Sequence, residues 1–463
     1  MTRRHRLILV LLLGAQFMLA ADFSILNVAL PAVGKGLGFS LANLQWIATA
    51  FALPAAGFTL LFGRVADLIG RRRLFLTGLA LLVAASFVGG LAASPAMLLT
   101  ARVTQGFATA ITTPAALSLL TTSFPEGPLR ERALGLNGAL LSSGFTFGAL
   151  FGGLLTDLFS WRWAFLINVP IGALILVAAP MLVGESRHPD RPRLDVPGAV
   201  TVTAGLLTLV YGITQAGRAG WGSRTAQVTL LAGVVLLVAF WLIERRAAAP
   251  LASITVLTRR TVTWGNVGGL LAFGMASATV FMMTVYLQQV LGYSPLVAGV
   301  ALGVPGAAAF VSGLVSSRFI ARIGSRRALI AGLLTQALPF MSLSLLGTHK
   351  SGVALVLGAC GVGFFGHVLA IVAYTVTATS GLPNEEQGLA TGLTTMTQQV
   401  ALTLGIPVLS AIATARSHAL AGTVSATDAV LGGIHAAILA NVAITLVGVL
   451  LIGLFLRRTT VVR

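Results

Sequence analysis

The sequence predicts an all-α polytopic membrane protein with fourteen transmembrane helices, built as two six-helix bundles with two helices inserted between them. Three observations predict it. The 463 residues are 56% hydrophobic and only 9% charged, against roughly 25% charged in soluble domains, so this surface can be hidden only in lipid. Apolar runs of about 20 residues, the length that crosses a bilayer as a helix, recur along the whole chain. A basic loop beginning at Gly63 returns at Ser317, 254 residues later.

The spans fall at approximately 7–31, 44–62, 74–93, 96–121, 133–157, 163–183, 196–215, 226–243, 262–290, 296–317, 328–347, 352–378, 388–415 and 430–456. The 53 Gly and 17 Pro do not oppose helices here, because membrane spans tolerate both. The first run follows Arg3, Arg4 and Arg6 and resembles a secretory signal. It continues through Asp22 and Asn27 to Pro31, past the roughly 7–15 residues of a cleaved apolar core. It therefore reads as a retained first span.

Charge gives the topology. Of 30 Lys and Arg, six (Lys35, Arg162, Arg218, Arg224, Lys350, Arg416) fall on one side of the spans and Arg102 lies inside the fourth. The remaining 23 fall on the side of the termini. Short arginine-rich loops mark the cytoplasmic surface, so both termini are expected there. The net charge of +18 is then an anchor against anionic lipid, and no nucleic-acid partner is expected. Abundant Arg, Ala and Gly suggest a GC-rich genome, and the expected location is a bacterial cell (inner) membrane. The single cysteine, Cys360, excludes an intrachain disulfide. No metal cluster, catalytic triad spacing or Walker-type phosphate loop is present. The chain reads as no enzyme, without cofactor, and any transport must draw on an ion or substrate gradient.

The repeat sets the domains. Gly63-Arg64 to Gly70-Arg71-Arg72-Arg73 returns as Ser317-Arg318 to Gly324-Ser325-Arg326-Arg327, and at the same offset Gly127, Glu131 and Gly138 match Gly381, Glu385 and Gly392. This divides the chain into an N-terminal bundle at 1–183, linkers and two inserted helices at 184–261, and a C-terminal bundle at 262–463. Parallel repeats of this kind place a substrate site between the bundles near mid-membrane.

Five motifs carry a family resemblance across nearly the whole chain. Gly63-x-x-x-Asp67-x-x-Gly70-Arg71-Arg72-Arg73 resembles the loop between the second and third helices of major facilitator superfamily transporters. Asp22-Phe-Ser24-Ile-Leu-Asn27-Val-Ala-Leu-Pro31 resembles the first helix of the 14-helix drug:proton antiporter branch (EmrB/QacA type), with Ser24 where Thr is usual. Arg102-Val-Thr-Gln105-Gly106 is similar to the intramembrane Arg-x-x-Gln-Gly of the family. Gly135, Gly144, Gly148, Gly152 and Gly153 follow the antiporter spacing of the fifth helix, with Ala149 in place of its proline. Trp161-Arg-Trp-Ala-Phe-Leu-Ile-Asn-Val-Pro170 resembles the same branch. The resemblance implies a proton-coupled exporter of small amphipathic drugs or natural products, with Asp67, Gly63, Gly70, Arg71 and Arg72 latching the cytoplasmic side. An uptake symporter or facilitator shares the fold and stands as the alternative.

Physical chemistry supplies a second reading of the same residues. An Asp at the centre of a span costs about 2.5–3.5 kcal/mol and needs compensation. Counted from opposite surfaces at about 1.5 Å per residue, Asp22 and Arg102 reach the same height within a turn. They are expected to face one cavity and to couple electrostatically, with Asp22 as the proton carrier. Two readings stay open for each: Asp22 carries a proton, or lies near the outer rim capped by water or paired for assembly only, and Arg102 biases proton release, or only snorkels and bonds helix ends. The glycines of the fifth span form a pivot or seal between bundles, or serve packing alone. A solvated positive loop accounts for the arginines near Gly63, though poorly for Asp67. Asn27, Gln105, Asn137, His367 and Gln398 are candidate cavity residues, and His367 titrates near neutral pH in water. The expected partners are a small-molecule substrate, protons and the bilayer, and the protein is expected to be a monomer.

Overall fold

The structure, a computed structural model, describes residues 3–124, 128–185, 195–247, 250, 254–380 and 384–456. Within the helices a few side chains also lie outside the described set, among them Arg64, Asp67, Gly135 and Ala149. The chain is helical throughout the described residues. Its first bundle comprises α1 (Arg3–Leu37), α2 (Leu41–Ile69), α3 (Arg71–Gly90), α4 (Pro95–Ser123), α5 (Pro128–Leu158), α6 (Trp163–Leu166) and α7 (Asn168–Leu182). A hairpin follows, α8 (Val196–Ala219) and α9 (Arg224–Glu244), then the short α10 (Ile254–Leu257). The second bundle comprises α11 (Arg260–Val285), α12 (Pro295–Ile323), α13 (Ser325–Ser342), α14 (Gly352–Thr379), α15 (Asn384–Leu420) and α16 (Ala426–Phe455).

Local chemistry sets the helix ends. Ser94 and Ser294 accept from the amides of Met97 and Val297 at 3.3 and 3.4 Å, each with a proline in the first turn. These serines satisfy N–H groups that the helix itself leaves unbonded. Pro170 cannot donate to the Leu166 carbonyl four residues earlier, and the sixth span is interrupted there, between α6 and α7.

Eleven helices among the described residues are long and apolar enough to cross a membrane, with α6 and α7 counted as one. Helices α2, α4 and α5 have 29, 29 and 31 residues, also enough to span at about 1.5 Å per residue. With these three the helices fit the fourteen expected spans.

The repeat appears in the backbone. Helix α2 ends at Ile69 and α12 at Ile323, and each is followed by a glycine of positive φ, Gly70 at 120° and Gly324 at 83°. Each then leads into the next helix, at Arg71 and Ser325. Only glycine takes such a backbone without strain. In the first bundle α1 packs on α5, α2 on α4, and α3 on α4 and α7. In the second, α11 packs on α15 and α14 on α12 and α13. The bundles meet along α5 with α12 and α2 with α15, and the α8–α9 hairpin leans on α2 and α15. Its outer surface exposes Val200, Leu207, Val228, Leu231, Val235 and Leu242, as suits a surface in lipid.

Among the described residues, three of the contacts that join the bundles lie towards the face opposite the termini. The last turn of α11 widens into a π-helix at Tyr286–Val290, and Gln288 Nε2 within it donates to the Val28 carbonyl at 2.8 Å. Ser294 Oγ donates to Asp157 Oδ2 at 3.4 Å. A Cβ added at Gly153 would stand 2.6 Å from the Pro295 carbonyl oxygen, so α5 and α12 touch backbone to backbone.

Candidate functional site

Asp22 and Arg102 meet. Arg102 Nη1 donates to Asp22 Oδ2 at 3.2 Å, with the two side chains 1% and 2% exposed. The height matching made from sequence therefore finds its counterpart in the fold. The surroundings differ from the expected cavity wall. Both groups are enclosed within the first bundle, because their remaining hydrogen-bond partners come from α2, α4 and α7.

Those partners close a ring. Arg102 Nη1 also donates to Gln105 Oε1 at 2.8 Å, and Gln105 Nε2 donates to Ser86 Oγ at 2.8 Å. Asn168 Nδ2 donates to Ser86 Oγ at 3.4 Å and, more closely, to Asp22 Oδ1. Five side chains from α1, α3, α4 and α7 are thereby joined by direct hydrogen bonds. Arg102 Nε donates to the Ile47 carbonyl of α2 at 3.2 Å, and the guanidinium lies 4.3 Å from the Phe51 ring centre and 5.9 Å from that of Phe165. Arg102 Nη2 has no hydrogen-bond partner among the described residues and sits in this aromatic surrounding. Buried charges persist only when paired and hydrogen-bonded, and the ring supplies those bonds to both.

Sequence reading missed Ser86 and Asn168. Asn168 did carry a signal, since it lies in the Trp161–Pro170 motif, and the helix interruption before it places its side chain at the ring.

The α5 glycines press on the same region. A Cβ at Gly144 would lie 2.7 Å from Ala20 Cβ, one at Gly148 would lie 2.6 Å from Ser24 Cβ, and one at Gly152 would lie 2.5 Å from the Ile25 carbonyl oxygen. Three glycines thus seat α1 on α5 either side of Asp22. Gly153 instead faces the other bundle, and Gly135 lies outside the described side chains.

The basic loop engages an acid that sequence reading did not select. Glu185, just past α7, accepts from the amides of Arg72 at 3.0 Å and Arg73 at 3.2 Å. The Arg72 guanidinium donates to the Val183 carbonyl at 3.2 Å. Arg71 is half-buried and Gly63 lies 3.7 Å, from its ideal Cβ, to the Pro114 ring. The Asp67 side chain lies outside the described set.

The remaining candidates disperse. Gln105 belongs to the ring. Asn27 and Asn137 are buried on α1 and α5, the latter with Oδ1 unpartnered among the described residues. His367 lies in the second bundle, its ring edge-on to Phe273 and Phe364 at 5.6 Å each. Gln398 is half-buried on α15.

Two pseudo-repeated bundles, a buried carboxylate–guanidinium pair and a glycine-rich contact between bundles define a polytopic membrane carrier. The sequence pattern of the Major Facilitator Superfamily matches residues 12–406, and the chain belongs to that family. It is 40% identical to the cephamycin export protein CmcT of Amycolatopsis lactamdurans over 87% of this chain and 83% of that one. It is 36% identical to the puromycin resistance protein of Streptomyces alboniger over 89% and 82%. The crystal structure of a bacterial homologue of the lysosomal transporter Spinster, inward-facing and unoccupied, superposes with a TM-score of 0.68 at 17% identity, over 99% of both chains.

Proposed function

We propose that this chain is a proton-coupled exporter of small amphipathic drugs or natural products, working by alternating access of its two bundles. The buried Asp22–Arg102 pair, closed into a ring of neutral donors, is the observation that carries the reading. A carboxylate that exchanges its guanidinium for a proton gives two states of different charge, and only a difference in affinity between states can couple two cargoes. The relatives named for cephamycin export and puromycin resistance support natural-product substrates. Among the described acids, Asp22 lies mid-span while Asp157, Asp195, Glu244 and Asp428 lie at or beside helix ends, which favours neutral or monocationic cargo over dications. The protein works as a monomer in a bacterial inner membrane with cytoplasmic termini, its bundles dividing at about 183 and 262. Gly63, Asp67, Gly70, Arg71 and Arg72 hold the cytoplasmic side.

The test is dye efflux in inverted vesicles under an imposed pH gradient. Substrate addition should release protons, and Asp22→Asn should abolish that release while substrate binding persists. Intact coupling in Asp22→Asn would remove the carrier role.

A further inference from the structure

Asn168 touches Asp22 Oδ1, the oxygen that Arg102 does not bond. Resting on the reading of Asp22 as the proton site, we propose that Asn168 is the positioning residue that holds both of its protonation states. The argument is one of donor and acceptor inventory. A guanidinium has donors only, so Arg102 can serve the carboxylate and cannot accept from the acid. A primary amide has both kinds of atom. Facing Asp22 with its NH2, Asn168 stabilises the carboxylate, and turned by half a rotation it presents its oxygen to the acid O–H.

Ser86 makes the turn feasible. Its hydroxyl accepts from Asn168 Nδ2 and from Gln105 Nε2, and a hydroxyl also donates. When the amide turns, the Ser86 O–H rotates to donate to the amide oxygen. The amide then meets a matching atom on both Asp22 and Ser86 in either state, which matters because an unmet buried polar atom is costly. The proton therefore goes to Oδ1. A hydronium from the aqueous side gives it up and leaves as water, the Arg102 bond to Oδ2 loosens, and release to water on the other side restores the first state. The carrier's second state is thus a ring with one amide reversed, and α7 senses the proton through Asn168 as directly as α4 does through Arg102.

No other charge disturbs this exchange among the described residues. Around Asp22, α4 contributes Arg102, α5 contributes Gly144 and Gly148, and α2 and α6 contribute Phe51 and Phe165 through their contact with the guanidinium. Apart from Arg102 none of these titrates.

The test is the pH profile of vesicle exchange. Asn168→Leu, of similar size without donor or acceptor, removes a hydrogen bond from both forms, the stronger one from the charged form. The pH midpoint of exchange should then move upward by about one unit. Asn168→Ser, whose hydroxyl both donates and accepts, should return the midpoint towards wild type. A midpoint unmoved in Asn168→Leu, with coupling lost in Asp22→Asn, overturns this proposal and leaves the export reading intact. Coupling retained in Asp22→Asn overturns the export reading itself. If Asn168→Leu does not fold, infrared difference spectra of the wild type across the pH midpoint, with 15N-labelled asparagine, decide. An asparagine side-chain band that moves together with the Asp22 carboxyl band supports the proposal, and a stationary one overturns it.

Discussion

Gln288 and Val28 are tied across the bundle interface by a 2.8 Å hydrogen bond from side-chain amide to backbone carbonyl. The bond depends on the π-turn at Tyr286–Val290, an uncommon geometry that concentrates at functional sites. The carbonyl it reaches lies one turn before Pro31 of α1. With the Ser294–Asp157 bond and the Gly153 contact, it closes the molecule on the face opposite the termini. Opening that face must break it. A single such bond is worth about 0.5–1.5 kcal/mol, so Gln288→Leu should shift the open–closed equilibrium about two- to thirteenfold towards opening. Spin labels at the exposed Lys35 and Thr348 would show the long-distance population rise. An unchanged distribution would mean that apolar packing alone closes this face.

The two ends of the α5 glycine stripe should behave differently. Gly148→Ala places a methyl 2.6 Å from Ser24 Cβ and 2.8 Å from the Ala21 carbonyl oxygen, inside one bundle. Overpacking of this kind costs about 1–3 kcal/mol, visible as a lower unfolding temperature in detergent. Gly153→Ala meets Pro295 and Leu296 of the other bundle. Its cost falls on the closed state only. The expected outcome is a larger open population in the Lys35–Thr348 distances with each bundle's thermal stability little changed.

Much of the fold was legible in the sequence because lipid imposes it. Spans must be long and apolar, arginines gather on one side of them, and the repeat kept its spacing so closely that α2 and α12 end 254 residues apart. The ion pair was legible too, since a mid-span Asp and Arg are too costly to stand alone. Ser86 and Asn168 were not. Neutral polar residues are common in spans, and what they touch depends on helix rotation, which hydropathy does not report. Glu185 was hidden for a different reason, as an acid beyond a helix end looks like ordinary surface. The repeat also shows where the chemistry is confined. At the same offset, Asp22, Ser86, Arg102 and Gln105 correspond to Ala276, Phe340, Val356 and Ala359, all buried. The second bundle keeps the helices and puts apolar residues at these four positions, with neutral Gln336 and Asn441 bonding the Ala272 and Met275 carbonyls of α11 instead, so only the first bundle holds the charge pair.

Glu185 solves a problem that the arginine run creates. Arg71, Arg72 and Arg73 occupy the first turn of α3, where the helix dipole is positive and cations are unfavourable. The N-cap, Gly70, has no side chain to offer. Glu185 takes that place from outside the helix, accepting from the Arg72 and Arg73 amides. Its carboxylate also lies 2.8 Å from where a Cβ at Gly70 would stand, so residue 70 must be glycine for space as well as for its φ of 120°. The ion pair with Arg73 adds little, at 3.9 Å and with the arginine 65% exposed. The capping bonds matter more. Glu185→Ala should destabilise this turn by about 0.5–2 kcal/mol, speeding amide exchange at Arg72 and Arg73 by a factor of about two to thirty. Glu185→Gln keeps an acceptor oxygen without the charge and should fall between. Equal exchange in wild type and Glu185→Ala would show that the loop is held without this cap. Because Glu185 follows α7, the bonds tie the basic loop to the same helix that presents Asn168 to Asp22. Loosening the cap should therefore also reach the proton site, and the pH midpoint of exchange in Glu185→Ala would measure how far.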